Sequence, residues 1–160
     1  MSLPNLSGLN VIELTVCRFD QALPLARTAL PDLTLPEWRR FLFSHLQQPG
    51  SGVLAVENPR GVLLACAAYT LRKDLRHGCY LAADPVIIMD LVGATAVAKA
   101  LEQGLEAEAQ KQGCGALLLQ LPHHSEAKPD NRAVTAFLGC GLAAESLNLF
   151  KRVAGERPAA

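Results

Sequence analysis

The stretch CYLAADPVIIMD (residues 79–90), followed by GATAVAKALEQGLEAEAQKQG (93–113) and GALLLQL (115–121), decides the fold. Its first part is an apolar run with the content of a buried strand. Pro85 removes a ladder donor inside that run, which predicts a bulge or a splay there. From 95 to 112 the period changes to that of a helix. Thr95 can cap the start, Val97, Leu101 and Leu105 recur every four residues, and Gly113 stands where helices stop. Residues 115–121 then read as a second buried strand. Two parallel strands need a connection of this size, so the order strand, helix, strand predicts a parallel crossover.

Upstream, residues 53–56 and 62–71 read as the strands of a hairpin. Asn58, Pro59, Arg60 and Gly61 between them suit a type I turn, with Pro where φ is already set. A charged break is expected over 72–78. Further upstream, 11–17 alternates like a half-buried strand, and 20–30 reads as a weak helix compromised by Pro24. Thr34 lies three residues before Glu37, the capping-box spacing, ahead of a helix that places Trp38, Phe41, Leu42 and Leu46 on one face. Downstream, a polar loop over 122–129 precedes a short helix at about 131–138. Gly139-Cys140-Gly141 ends it, and a last strand is expected over 147–153. The chain reads as one domain, 1–153, with a loose tail at 154–160.

Composition bounds the function. Half of the 160 residues are apolar, 19% are charged, and fifteen basic residues balance fifteen acidic ones. No basic run points to nucleic acid held through its phosphates. No apolar run reaches the roughly 18 residues of a membrane span, and residues 1–10 lack a signal-peptide layout. Cys17, Cys66, Cys79, Cys114 and Cys140 are odd in number and form no C-x-x-C pair. They read as reduced thiols in a cytoplasmic protein. His123 and His124 are adjacent, so they project apart on an extended chain, and no cysteine ligand stands near. No metal is expected.

The element order, together with NRAVTAFLGCGL (131–142), resembles the GNAT superfamily of acyl-CoA-dependent N-acetyltransferases over nearly the whole chain. The likeness implies an α/β fold, with a central mixed sheet flanked by helices. Against the family's N-x-x-A-x-x-F-Y-x-x-x-G-F helix, Ala133 takes the place of Ala, Phe137 of Tyr, Gly141 of Gly and Leu142 of Phe. Asp130 falls on the usual Asn, with Asn131 beside it. The family's R-x-x-G-x-G/A loop aligns without gaps on Gly93, Ala94, Thr95, Ala96, Val97 and Ala98. Gly93 then replaces the Arg and Ala96 the first Gly. A gapped alignment instead makes Asp90, Leu91 and Val92 the strand end and shortens the loop.

The resemblance implies acetyl-CoA as co-substrate. Its contacts would fall on Met89, Leu91, Val92, Gly93, Ala94, Thr95, Ala96, Val97, Ala98, Asn131 and Phe137. Unpaired amides at a helix N-terminus favour a pyrophosphate whether the residue is Gly or Ala, while the missing Arg weakens the grip. As catalytic groups it implies Asp84, Asp90 and Tyr80 on the fourth strand, with Asp84 the best ungapped match for a base. The same residues also have plain structural readings: Asp84 in an Asp-Pro bulge, Asp90 capping the next helix. Phe137 has no proton to give a leaving thiolate. The implied activity is transfer of acetyl to an amine on a small molecule or peptide. The alternative is a catalytically degenerate module with a regulatory or oligomerising role. Short terminal strands at a sheet edge invite pairing with a second copy, so a homodimer stays open.

Overall fold

The computed structural model describes residues 8–89, 93–121, 132–146 and 148–152. Five strands form one sheet in the order β1 (Asn10–Glu13), β2 (Gly52–Glu57), β3 (Leu63–Asp74), β4 (Gly78–Ile88), β5 (Ala116–Leu119). The first four run antiparallel, and β5 lies parallel to β4. The crossover read from residues 79–121 is therefore the join between an antiparallel meander and a parallel edge. The Asn58 turn closes as its residues dictate. Gly61 N–H donates to Asn58 O at 2.9 Å, and the Asn58 side-chain oxygen accepts from the amides of Arg60 and Val62. Gly61 supplies a φ of 76°, which glycine adopts without Cβ strain.

Helices cover both faces. On one side lie α1 (Leu23–Ala29) and α2 (Leu35–Leu46), packed on Val53, Ala55, Cys66, Ala68 and Ile87. The expected capping box starts α2: Thr34 N–H donates to Glu37 Oε2 at 2.9 Å and Glu37 N–H to Thr34 Oγ1 at 3.4 Å. On the other side, α3 (Ala94–Lys111) and α4 (Arg132–Gly139) pack on Val56, Ala65, Ala67, Leu81, Ala83 and Val86. Gly104 lets α3 approach β1, since a Cβ there would sit 2.7 Å from Val11 Cγ1.

His45 is the buried polar side chain among the described residues. Its Nε2–H donates to the carbonyls of Gly52 and Tyr69, at 3.1 and 2.9 Å. Two carbonyl acceptors fix the proton on that nitrogen. Trp38 Nε1–H likewise donates to Phe19 O at 2.8 Å. Phe41, expected on the buried face of α2, is 39% exposed and stacks between Trp38 and His45.

Several boundaries differ from the sequence reading, each for a physical reason. The strand expected over 11–17 stops at Glu13. Residues Val16–Ala22 instead form a 3₁₀ turn that buries Phe19 and Ala22 beneath α2. Pro24 lies in the first turn of α1, where a missing N–H is harmless, so it starts that helix rather than weakening it. The break over 72–78 shrinks to a turn. Exposed Arg72 and Lys73 still pair with Tyr80 and Cys79, because charged side chains face solvent freely at the end of a hairpin. Thr95 is not the cap of α3: Gly93 holds that place, with φ 101° and no side-chain hydrogen bond. Residues 148–152, read as part of a last strand, join no sheet. Neighbouring Leu149 and Phe150 are 89% and 83% exposed, and adjacent apolar residues on an extended chain cannot share one buried face.

Candidate coenzyme and catalytic site

The expected irregularity at Pro85 is a β-bulge. Ala67 pairs with Val86 and Tyr69 with Ala83, so Asp84 and Pro85 together oppose Ala68 alone. The Asp84–Pro85 peptide is cis. On the other edge of β4, Gln120 N–H donates to Ala83 O at 2.9 Å. A regular parallel ladder would return the bond from residue 85, but proline has no N–H. Val86 N–H makes it instead, reaching Gln120 O at 3.2 Å.

Beyond that bond β4 outruns β5. Met89 N–H donates to Leu64 O at 2.9 Å, toward β3. Strand alternation then turns the N–H and C=O of Ile88 toward the β5 side. No backbone partner meets them there among the described residues. Among the described residues, the β4 edge just past the bulge is left without a strand partner.

The N-terminus of α3 follows this edge closely in sequence. Gly93 O accepts from the amides of Ala96 and Val97, at 3.0 and 3.3 Å. The amides of Ala94 and Thr95 precede the intrahelical ladder. Among the described residues no side chain caps them, and the first turn holds no acid. A Cβ placed on Gly93 would meet nothing within 4 Å. Among the described residues these donors have no partner, and they stand at the positive end of an 18-residue helix. They fit an anion such as a pyrophosphate.

The residues assigned to the coenzyme separate into two groups. Gly93 and Thr95 are exposed and Ala94 and Ala96 half-buried, whereas Val97 and Ala98 point into the core. Met89 is half-buried, packed against the α1–α2 side. Phe137 is buried at 2% exposure. Asp90, Leu91, Val92 and Asn131 lie outside the described residues, as do His123 and His124.

Asp84 is exposed at the bulge, next to this edge of β4. Tyr80 lies four residues back, about 13 Å along the strand, with its ring edge-on to His77 at 5.7 Å. The structure therefore groups Asp84, Ile88 and Gly93 near one end of β4, with Tyr80 toward the hairpin end.

At that hairpin end is a charged cluster that the sequence reading passed over. The Asp74 carboxylate accepts from the amides of Arg76 and His77, at 2.9 and 2.6 Å. His77 Nδ1 lies 3.0 Å from Asp74 Oδ2, and Nε2 lies 2.9 Å from Glu145 Oε2. Hydrogen bonds to Asp74 first and Glu145 second raise the His77 pKa above its ordinary value. Hydrogen bonding to His77 lowers both carboxylates. The D-x-x-H spacing was visible, but Glu145 is 68 residues away in sequence. The cluster fastens the segment after α4 to the β3–β4 turn. That segment also walls a groove of about 550 Å³ along β5, lined by Leu117, Leu119, Val134 and Leu138 together with polar Gln120 and Asn148.

The sheet and its helices superpose on solved acetyltransferases. The aminoglycoside 6'-N-acetyltransferase AAC(6')-Ih from Acinetobacter baumannii superposes with a TM-score of 0.70 at 16% identity, covering 92% of this chain and 100% of its own. The chain has the GNAT fold. AAC(6')-Iy, solved with a CoA-linked bisubstrate analogue, gives a TM-score of 0.69 at 15% identity, over 92% and 99% of the two chains. The ribosomal-protein-alanine N-acetyltransferase from Brucella melitensis biovar Abortus gives 0.68 at 16%, over 91% and 99%. The sequence matches no family model and no curated protein. The mixed five-stranded sheet with helices on both faces is the GNAT architecture, held here by a divergent sequence.

Proposed function

We propose that this GNAT-fold chain is a cytoplasmic N-acetyltransferase that uses acetyl-CoA to acetylate an amine. One observation carries the reading: the N-terminus of α3 at Gly93 follows closely on the β4 edge at Ile88. Among the described residues neither the amides of Ala94 and Thr95 nor the β5-side N–H and C=O of Ile88 have a hydrogen-bond partner. The amides of Ala94 and Thr95 hold the pyrophosphate. The N–H and C=O of Ile88 bond the amide-bearing arm that leads to the thioester. The solved neighbours include one with CoA and one with a CoA-linked analogue, which supports the same kind of co-substrate here. Acetyl-CoA supplies the activated acyl group. The amine must attack as the free base, so a group near the bulge has to take up its proton. Asp84, exposed at the bulge, fills that role directly or through water. Phe137 offers no proton to the departing thiolate, which takes one from solvent. The acceptor is an amine on a small molecule or a peptide. Among the described residues no helix is long and apolar enough to cross a membrane.

A second reading has its own motive. The position where the family carries a Tyr is here a phenylalanine absorbed into the core, which suits a module that binds the coenzyme without turning it over. A thiol-release assay separates the two. Aminoglycosides, glucosamine 6-phosphate and alanyl-terminated peptides serve as acceptors, chosen after the solved neighbours. Coenzyme-dependent release with any of these supports the enzyme. Asp84→Asn should then lower kcat by about 10²-fold, the scale of a lost general base, with acetyl-CoA affinity unchanged. Binding without release across an extended amine panel would favour the module, and absence of binding would remove both.

A further inference from the structure

Independently of any coenzyme, two cysteines far apart in sequence meet at the base of the crossover. Cys79 lies at the start of β4, and Cys114 lies between α3 and β5. Gly115 N–H donates to Cys79 O at 3.1 Å, so Cys114 is one residue back from the position opposite Cys79. The end of α3 pins it: Cys114 N–H donates to Ala109 O at 2.8 Å, and Gly113 makes the turn with φ 73°. Both side chains join the core cluster on the α3 side of the sheet. Their sulfurs are 3.0 Å apart, in hydrogen-bond contact. Both are free thiols. The other three have different surroundings: Cys17 is exposed, Cys66 is buried with its thiol pushed up to about 12, and Cys140 donates to Ala136 O at 3.2 Å.

We propose that Cys79 and Cys114 are an oxidisable dithiol, which a hydroperoxide converts into a disulfide joining the start of β4 to the start of β5. Cys79 is the less buried residue of the two and reacts first. Its thiolate attacks the peroxide, breaks the O–O bond and becomes a sulfenic acid, with release of water. Cys114 sulfur then attacks Cys79 sulfur. The S–S bond forms, the S–O bond breaks, and hydroxide leaves as water with the proton of Cys114. Two thiols lose two electrons and one hydrogen peroxide becomes two waters. A dithiol reductant reverses the change. Burial beside Cys79 pushes the Cys114 thiol up to about 11, so the second step quickens as pH rises. The bond closes the whole of β4 and α3 into one covalent loop. Loop closure of that kind raises Tm by roughly 5–10 °C.

The test treats the full chain with hydrogen peroxide, alkylates the remaining thiols and maps the peptides without reduction. The expected result is a Cys79–Cys114 peptide, lighter by two hydrogens, that dithiothreitol abolishes, with a raised Tm. Cys17→Ser should give the same crosslink, and Cys79→Ser should leave Cys114 open to alkylation. A map in which Cys79 and Cys114 both alkylate after exposed Cys17 has been oxidised would overturn the proposal. A bridge from either residue to another cysteine would overturn it too. The wild-type map decides the matter even if a serine variant does not fold.

Discussion

Replacing Thr95 by glutamate should push two measurable quantities in opposite directions. Thr95 is the exposed second residue of α3, in a first turn that holds no acid and, among the described residues, no side-chain cap. A carboxylate there meets the positive end of the helix, which stabilises a fold by about 0.3–1 kcal/mol, or roughly 1–4 °C in Tm for a chain of this size. The same carboxylate stands where the pyrophosphate is proposed to rest. At about 5 Å from two phosphate charges, with an effective dielectric between bulk water and a protein surface and screening by physiological salt, repulsion comes to about 1–3 kcal/mol. Competition for the amides of Ala94 and Thr95 acts in the same direction. Thr95→Glu should therefore melt slightly higher without ligand and bind acetyl-CoA roughly 5- to 150-fold more weakly. Calorimetric titration and thermal melts read both numbers on one preparation. If the apo melt rises while affinity stays within about twofold, the pyrophosphate does not sit at this helix end, and the reasoning fails. Thr95→Gln separates charge from size, and should lose most of the effect.

Other consequences concern the fold itself. Leu101 is fully buried between α3 and the sheet, so Leu101→Ala should lower unfolding stability by about 2–5 kcal/mol in urea titration. A loss below about 1 kcal/mol would mean that α3 is not packed there. The His77 cluster predicts a pH window. The raised His77 pKa contributes stability below its unfolded value of 6.5, lost as pH rises through the folded value. The lowered carboxylates contribute above their unfolded values of 3.8 and 4.5, lost as pH falls through the folded ones. The Tm advantage of wild type over His77→Gln should therefore be greatest near pH 5–6 and shrink toward pH 9; a difference that does not vary with pH would contradict the ion pairing.

What could be read from sequence follows the range of the forces involved. The Asn58 turn, the capping box at Thr34 and the bulge at Pro85 arise from interactions within a few residues, and all three stand where the residues placed them. The crossover was legible because strand and helix periods differ sharply on either side of Gly93. Phe19 and Ala22 wound a strand-like stretch into a 3₁₀ turn because α2 buries them, a contact no local pattern announces. The cap of α3 went to Gly93 rather than Thr95 through a backbone angle that side-chain chemistry does not reveal. At the candidate site, Asp84 and the loop from Gly93 could be named from order and spacing. The β4 edge at Ile88 could not, since it depends on where β5 stops relative to β4. Glu145 on His77 and Cys114 on Cys79 were hidden for the same reason: each joins residues that only the folded sheet brings together.

The central claim, that the edge of β4 and the start of α3 receive acetyl-CoA, is tested most directly by melting the chain with and without that compound. Ligand at about 100 times its dissociation constant should stabilise the fold by about 2.7 kcal/mol, or roughly 5–10 °C. In Thr95→Glu at the same ligand concentration the stabilisation should shrink to about 0.3–1.8 kcal/mol. An unchanged melt for the wild-type chain at millimolar acetyl-CoA would contradict the account.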